Sequence, residues 1–385
     1  MQTDSHTLTQ ALVCFLVATA FTTVYITQPV LPVIESEFGI DARTASLSVS
    51  MVIFGIALAN LPFGMLADRY PIKPIILTGG AMITVTSLVC AITHGIVVLI
   101  AARFIQGLFI PSLTTCIAAY LAQSLPAARL NVVMGSYVSA TVAGGLGGRL
   151  LGGWIHPPLH WRYAFVSAAV LLIAATTAAF RWLPGENPKR KIESQQAGFV
   201  DLLARPELLR IFAVAFGAFF VFSSMFNYLP FYLSKPPFSA RTEVITFMYL
   251  AYLIGIVMGP ISGRLSNHIG SGATMVLGSL IFAVAIAITM IQSLAVIAAS
   301  LVATCAGFFS IHAAAVGLLN RRLTSSRGRA NSLYVLAYYA GGGAGITACG
   351  YAYSAYGWEG AVALGGSVLL CPLAIGLTEI IRERR

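Results

Sequence analysis

The chain has 385 residues, of which 58% are hydrophobic and 9% charged, with a mean hydropathy of +0.85. A soluble domain carries about a quarter charged residues, so this composition cannot cover a protein with a water-facing surface. The formal net charge of +10 would suit a nucleic-acid partner, but the cations are distributed over alternate loops and form no single basic face.

Apolar runs of about twenty residues, enough to cross a ~30 Å hydrocarbon layer as helices, recur from end to end. Twelve spans are predicted, over 8–30, 44–66, 73–93, 96–121, 130–155, 162–183, 207–232, 243–264, 273–292, 294–319, 329–354 and 359–381. The first is read as a retained helix, because it exceeds the length of a leader's apolar core and has no basic stretch before it. The basic loops carry Arg69 and Lys73, Arg129, Lys189 to Lys191, Arg264, Arg321 to Arg329, and Arg382 to Arg385. The loops between them are short or hold Glu35, Glu37 and Asp41. An excess of Lys and Arg marks cytoplasmic loops, so both termini are expected inside, in a multi-pass protein of a bacterial inner membrane. The charge sets topology in the lipid bilayer and implies no nucleic acid. All six cysteines fall singly in apolar runs, without metal or redox spacing. No Walker-type glycine loop is present, and no metal or cofactor is expected.

The longest polar stretch, 183–207, separates six spans from six. The expected organisation is an N-terminal six-helix bundle (1–183), a cytoplasmic linker (184–206) and a C-terminal six-helix bundle (207–385). The halves are related. Gly64-Met-Leu-Ala-Asp-Arg and Gly263-Arg-Leu-Ser-Asn-His occupy the same loop, Gly107 and Gly307 equivalent spans, and Arg129-Leu-Asn and Arg329-Ala-Asn equivalent starts. The expected fold class is therefore an all-α membrane protein with twelve transmembrane helices in two pseudo-symmetric six-helix bundles. Two related bundles around a midplane site are a common plan for secondary transporters.

The stretch GMLADRYPIKP (64–74) resembles the loop signature of the major facilitator superfamily, G-x-L-x-D-R-x-G-R-K, with Gly64, Leu66, Asp68, Arg69 and Lys73 matching. LIAARFIQGLF (99–109) is similar to that superfamily's fourth-span signature through Arg103, Gln106 and Gly107, and the glycine-rich fifth span resembles its antiporter signature with Gly144 or Gly145 in place of the proline. The resemblance covers the whole chain and points to the drug and metabolite efflux branch. It implies the major facilitator fold, alternating access by rocking of the halves, a cavity lined by spans one, four, seven and ten, proton antiport, and a chain that works as a monomer. In that fold spans five and eight are neighbours, which would pair the glycine rows Gly148/Gly152 and Gly255/Gly259/Gly263, since small residues at this spacing let helices approach closely. Asp68 would face the start of span eleven, near Arg329. Gly64, Asp68, Arg69, Lys73, Arg129 and Arg329 are the candidate gate, stabilised by helix-end charge.

The intramembrane charges carry the functional argument. Arg103, and Arg149 within VAGGLGGRLLGGWI (142–155), lie ~10 Å below the outer surface at 1.5 Å of rise per residue. A cation there costs about 2.5–3.5 kcal/mol on insertion scales and needs an interior partner, yet no predicted span carries an Asp or Glu in its middle. Two readings remain open. Backbone carbonyls, Gln106 and water could solvate the guanidinium groups locally, or one or both could bind a substrate carboxylate, phosphate or sulfonate. His312 is either a packing histidine or, with Asp68, a proton carrier. Tyr25 and Gln28 with Phe21 in span one, and Asn227 with Phe219 and Ser223 in span seven, complete a set suited to small amphiphiles. Prolines at 29, 32 and 230 predict bent helices around it. The substrate-site candidates are thus Tyr25, Gln28, Arg103, Gln106, Arg149, Asn227 and His312. The leading function is a proton-coupled exporter of amphiphilic drugs or metabolites whose cavity favours neutral or anionic solutes; the alternative is an importer or uniporter of an organic anion. No catalytic constellation is found, so no enzyme is expected.

Overall fold

The computed structural model describes residues 2–124, 127–184, 198–323 and 326–383, with the side chains of 2–7 and 122–132 outside the description. In hydrocarbon every backbone N–H and C=O must be satisfied within the segment, so apolar runs fold as helices. Among the described residues there are helices and turns and no strand.

The first span is broken. α1 (Gln2–Val24) stops, a single 3-10 turn follows at Gln28–Val30, and α2 (Leu31–Phe38) resumes. Pro29 and Pro32 account for the break, since proline lacks the amide donor and clashes with the preceding turn. α3 (Ala42–Arg69) starts at Asp41, whose Oδ1 accepts from the Thr44 amide at 2.9 Å. The Thr44 bonds hold the Asp41 carboxyl below its usual range. α4 (Ile72–Ile92) follows, then a fourth span divided into α5 (Ile96–Leu113) and α6 (Thr115–Ser124) shortly after Pro111, then α7 (Ala127–Ile155) and α8 (Arg162–Trp182).

Beyond the polar stretch lie a short helix α9 (Phe199–Leu203) and α10 (Pro206–Ser234). The eighth span is α11 (Thr242–Met248), a 3-10 segment at Tyr249–Leu253, and α12 (Ile254–Ile269). α13 (Ser271–Ile288), α14 (Leu294–Arg321) and α15 (Arg327–Glu383) complete the chain. α15 is two helices joined at Gly357, whose φ of +60° suits glycine. Ten helical segments among the described residues are long and apolar enough to cross a membrane. α7 and the division of α15 complete the expected twelve.

Pro230 lies inside its helix. α10 runs through it, and the carbonyl that the missing Pro230 amide leaves without its helical donor, Phe226 O, accepts instead from the Tyr249 hydroxyl at 3.0 Å. A proline is tolerated in a membrane helix when a neighbour re-satisfies the freed group.

The chain forms two compact units, residues 1–30 with 51–193, and 31–50 with 194–385. The turn between spans one and two belongs to the second unit. There Asn227 Nδ2 donates to Ser46 Oγ at 2.8 Å and the Arg43 guanidinium lies 4.7 Å from the Tyr351 ring centroid.

Each unit repeats one close approach. In the first, Gly144, Gly148 and Gly152 of α7 lie on the backbone of Ala18, Thr22 and Ile26 in α1 and its turn; in the second, Gly341 and Gly345 of α15 lie on Phe216 and Phe220 of α10. A Cβ at Gly148 would sit 2.1 Å from Thr22 O, and one at Gly345 2.2 Å from Phe220 O. The repeat seen in sequence is thus a repeat of packing, fifth span on first and eleventh on seventh. Gly148 and Gly152 serve the contact with span one. In span eight Gly255 faces the Phe309 ring, while a Cβ at Gly259 or Gly263 would meet nothing within 4 Å.

Overpacking of this kind costs about 1–3 kcal/mol. Gly148→Ala and Gly345→Ala are expected to lower the thermal unfolding midpoint of the purified protein by several degrees, and Gly259→Ala to leave it unchanged. Equal midpoints for all three would refute the packing assignment.

Candidate functional site

A helix that ends inside the bilayer leaves the carbonyls of its last turn without donors, and an unsatisfied polar group there costs several kcal/mol. α1 ends in this way at Val24. Arg103 of α5 meets the end: its guanidinium donates to Thr23 O at 2.6 Å and to Val24 O, and also to Gln106 Oε1 one turn along its own helix. Gln106 Nε2 in turn donates to Ser87 Oγ of α4 at 2.8 Å. The guanidinium carbon lies 5.5 Å from the Phe165 ring centroid. Arg103, Gln106 and Ser87 are completely buried. A cation at a helix C-terminus also complements the negative end of its dipole. The geometry therefore favours local satisfaction for Arg103 and Gln106, as the cap of a broken span. Ser87 was not singled out in the sequence, because a lone serine in an apolar run carries no signal.

Arg149 sits on the other side of the break. Its Nε donates to Gln28 Oε1 at 2.8 Å, its NH1 to Gly145 O at 2.8 Å, and its guanidinium carbon stands 3.9 Å from the centroid of the Tyr25 ring. That is a close cation–π contact. A Cβ on Gly145 would lie 3.5 Å from NH1 and 3.7 Å from the Tyr25 ring, so the glycine-rich helix leaves room for the stack. Gln28 is fully buried, and its Nε2 has no hydrogen-bond partner among the described residues. A buried donor without an acceptor costs about 1–3 kcal/mol. Tyr25, Gln28 and Arg149 are thus brought together, with an amide donor enclosed and unused beside a cation.

In the second unit Asn227 uses its Nδ2 on Ser46, while its buried Oδ1 has no hydrogen-bond partner among the described residues. Phe219 and Ser223 are committed to packing: Phe219 stacks on Tyr338 with centroids 3.8 Å apart, and Ser223 Oγ donates to Gly342 O at 2.9 Å. His312 Nδ1 and the Tyr334 hydroxyl are 2.9 Å apart, and the imidazole lies nearly parallel to Phe308 at 6.0 Å. Tyr334 and Tyr338 escaped the sequence reading although their one-turn spacing places both on one face of α15.

The loop motif has a role within its own unit. Lys73 Nζ donates to Leu183 O at 2.6 Å, and the Tyr120 hydroxyl to Pro184 O at 3.1 Å. Both close the C-terminal end of α8, where orphaned carbonyls favour cations. Asp68 and Arg69 are exposed at the end of α3. A Cβ on Gly64 would meet only Thr115 Cγ2 at 3.8 Å, an ordinary contact. Arg329 lies 5.6 Å from the Phe199 ring centroid, and the Arg129 side chain falls outside the described residues. Asp68 and Arg329 belong to different units.

An all-helical chain with a broken span, internal repeats and polar groups held at membrane depth has the build of a polytopic carrier. The chain belongs to the Major Facilitator Superfamily, whose model matches residues 13–345. It is similar to the inner membrane transport protein YnfM of Escherichia coli (strain K12), with 29% identity over 92% of this chain and 86% of the relative. It is also similar to the chloramphenicol resistance protein of Pseudomonas aeruginosa, with 28% identity over 51% of this chain and 48% of that one. Among solved structures, a bacterial homolog of the human lysosomal transporter Spinster aligns with a TM-score of 0.77 at 13% identity, over 97% of this chain and 96% of that one; that likeness concerns the fold. The protein is a multi-pass membrane transporter of a small-molecule substrate, a secondary carrier that works by alternating access, and not an enzyme.

Replacing Arg103 by leucine leaves the Thr23 and Val24 carbonyls without their donors, at about 1–3 kcal/mol per orphaned group. Arg103→Leu is expected to lose most folded protein in a thermal unfolding assay in detergent, and Arg103→Lys to recover part of it. Wild-type stability in Arg103→Leu would show that the capping role is wrong.

Proposed function

We propose that this carrier is a proton-coupled exporter of small amphiphilic molecules, with a site that favours neutral or anionic solutes and is anchored by Arg149, Gln28 and Tyr25. The observation that carries the reading is the buried Gln28 Nε2 without an acceptor, next to the Arg149 guanidinium. An incoming carbonyl or carboxylate oxygen satisfies that amide and gains from the neighbouring cation. The Tyr25 ring supplies a flat apolar wall. A lipophilic cation meets only like charge there, which opposes binding. The resistance named for the Pseudomonas aeruginosa relative concerns chloramphenicol, a neutral amphiphile, and fits the same profile.

His312, bonded to Tyr334, and Asp68 are the proton-carrier candidates. Gly64, Asp68, Arg69, Lys73, Arg129 and Arg329 form the proposed cytoplasmic gate, in a chain that works as a monomer with both termini in the cytoplasm. A second reading, an importer or uniporter of an organic anion, is favoured by the same guanidinium.

Proteoliposomes with pH gradients of either sign test both readings, with chloramphenicol and a small aromatic carboxylate as solutes. Gradient-driven movement opposite to the proton flow is expected. Arg149→Gln removes a charged hydrogen-bond donor worth about 1.5–3 kcal/mol, and is expected to raise the KM for the carboxylate about tenfold or more while affecting the neutral solute less. Movement independent of the gradient favours the uniporter, and an unchanged KM removes Arg149 from the site. Export by His312→Ala with unaltered pH dependence removes the histidine.

A further inference from the structure

One charged cluster lies outside the site. The sequence places Glu379 at the end of the last span; the structure buries it, 3% exposed, among three arginines. Its Oε2 accepts from Arg322 at 2.7 Å, and its Oε1 lies 3.6 Å from Arg210 Nε and 3.9 Å from Arg382 NH1. The three cations come from the first turns of α10, the residue following α14 and the last turn of α15. One carboxylate thus neutralises one of three permanent charges.

The surplus is open to the outside. The Arg210, Arg322 and Arg382 side chains are 26%, 33% and 46% exposed; Arg210 Nε, on the inner side of the cluster, is buried and has no hydrogen-bond partner among the described residues. Leu209, next to Arg210 in α10, is an exposed apolar side chain, and Leu377 and Ile381 mark the opposite, exposed face of the last turns of α15. In a membrane-spanning helix such residues belong against acyl chains, whereas guanidinium groups at the helix ends belong at headgroup level. A planar fork of donors matches a phosphate, and basic pockets between helix ends take up acidic lipid headgroups.

We infer that Arg210, Arg322 and Arg382, gathered around Glu379, hold the phosphate of one anionic phospholipid where α10, α14 and α15 end. Glu379 presents the arginines: it keeps their mutual repulsion from spreading them while leaving their outer donors unused. A lipid is favoured over a soluble phosphate because the cluster lies where three spans end, at headgroup level, with the exposed Leu209 next to Arg210. The inference stands independently of the solute carried and of the direction of transport.

The test uses the full chain, purified in a neutral detergent and stripped of lipid. Thermal unfolding is followed with phosphatidylglycerol, with phosphatidylcholine, or with millimolar inorganic phosphate, and retained lipid is counted by native mass spectrometry. Phosphatidylglycerol is expected to raise the midpoint by several degrees more than phosphatidylcholine, with one retained lipid per chain. Arg382→Gln, which leaves the Arg322–Glu379 bond in place, is expected to lose at least half of that excess while keeping the phosphatidylcholine response. Arg210→Gln is the second variant should Arg382→Gln fail to fold. Equal shifts with the two lipids, an undiminished excess in the variant, or an equal shift with inorganic phosphate alone would each overturn the inference.

Discussion

The structure of the first unit depends on the need to satisfy a helix end where no water is available. Span one stops at Val24, and the carbonyls it exposes would make the break untenable in hydrocarbon. The Arg103 guanidinium closes them, and Gln106 and Ser87 in turn engage the remaining polar groups around it. An arginine that looks out of place in a greasy helix is, in this setting, what permits the neighbouring helix to be irregular. Once the break exists, Tyr25 and Gln28 point away from regular helical positions and can meet Arg149.

The two halves solve the same geometric problem by different chemistry. Both bring a glycine row onto a facing backbone, α7 on α1 and α15 on α10. The first half then breaks its central helix and populates the break with two guanidinium groups. The second keeps α10 continuous past Pro230, because the Tyr249 hydroxyl supplies the missing donor, and fills the space with stacked Phe219, Phe222, Phe308 and Tyr338. A duplicated scaffold has thus acquired one polar half and one aromatic half.

The sequence made some of this legible and some not, for physical reasons. Span number and the kink at Pro29 and Pro32 follow from apolar run length and from a missing amide, both local properties. The glycine rows announced that backbones would touch, but spacing does not say which helix arrives, and the row in span five met span one. The donor that meets Phe226 O behind Pro230 comes from a tyrosine nineteen positions away, and nothing near the proline signals it. Arg103 could not be assigned from its neighbours, since its partners are backbone carbonyls, which every residue has. Arg149 was easier to read: Gln28 and Tyr25 had both been marked on span one, and only their meeting with it needed coordinates. Glu379 was correctly placed at a span end, but its arginines converge from three separate helices.

The Arg103 contacts have a mechanical consequence. One guanidinium ties the interruption in span one to span four, and Gln106 carries the link on to span three, so straightening that interruption would mean breaking several buried bonds at once. Span one therefore carries its corner as a bonded feature, and opening it would leave two buried carbonyls and a guanidinium to find new partners.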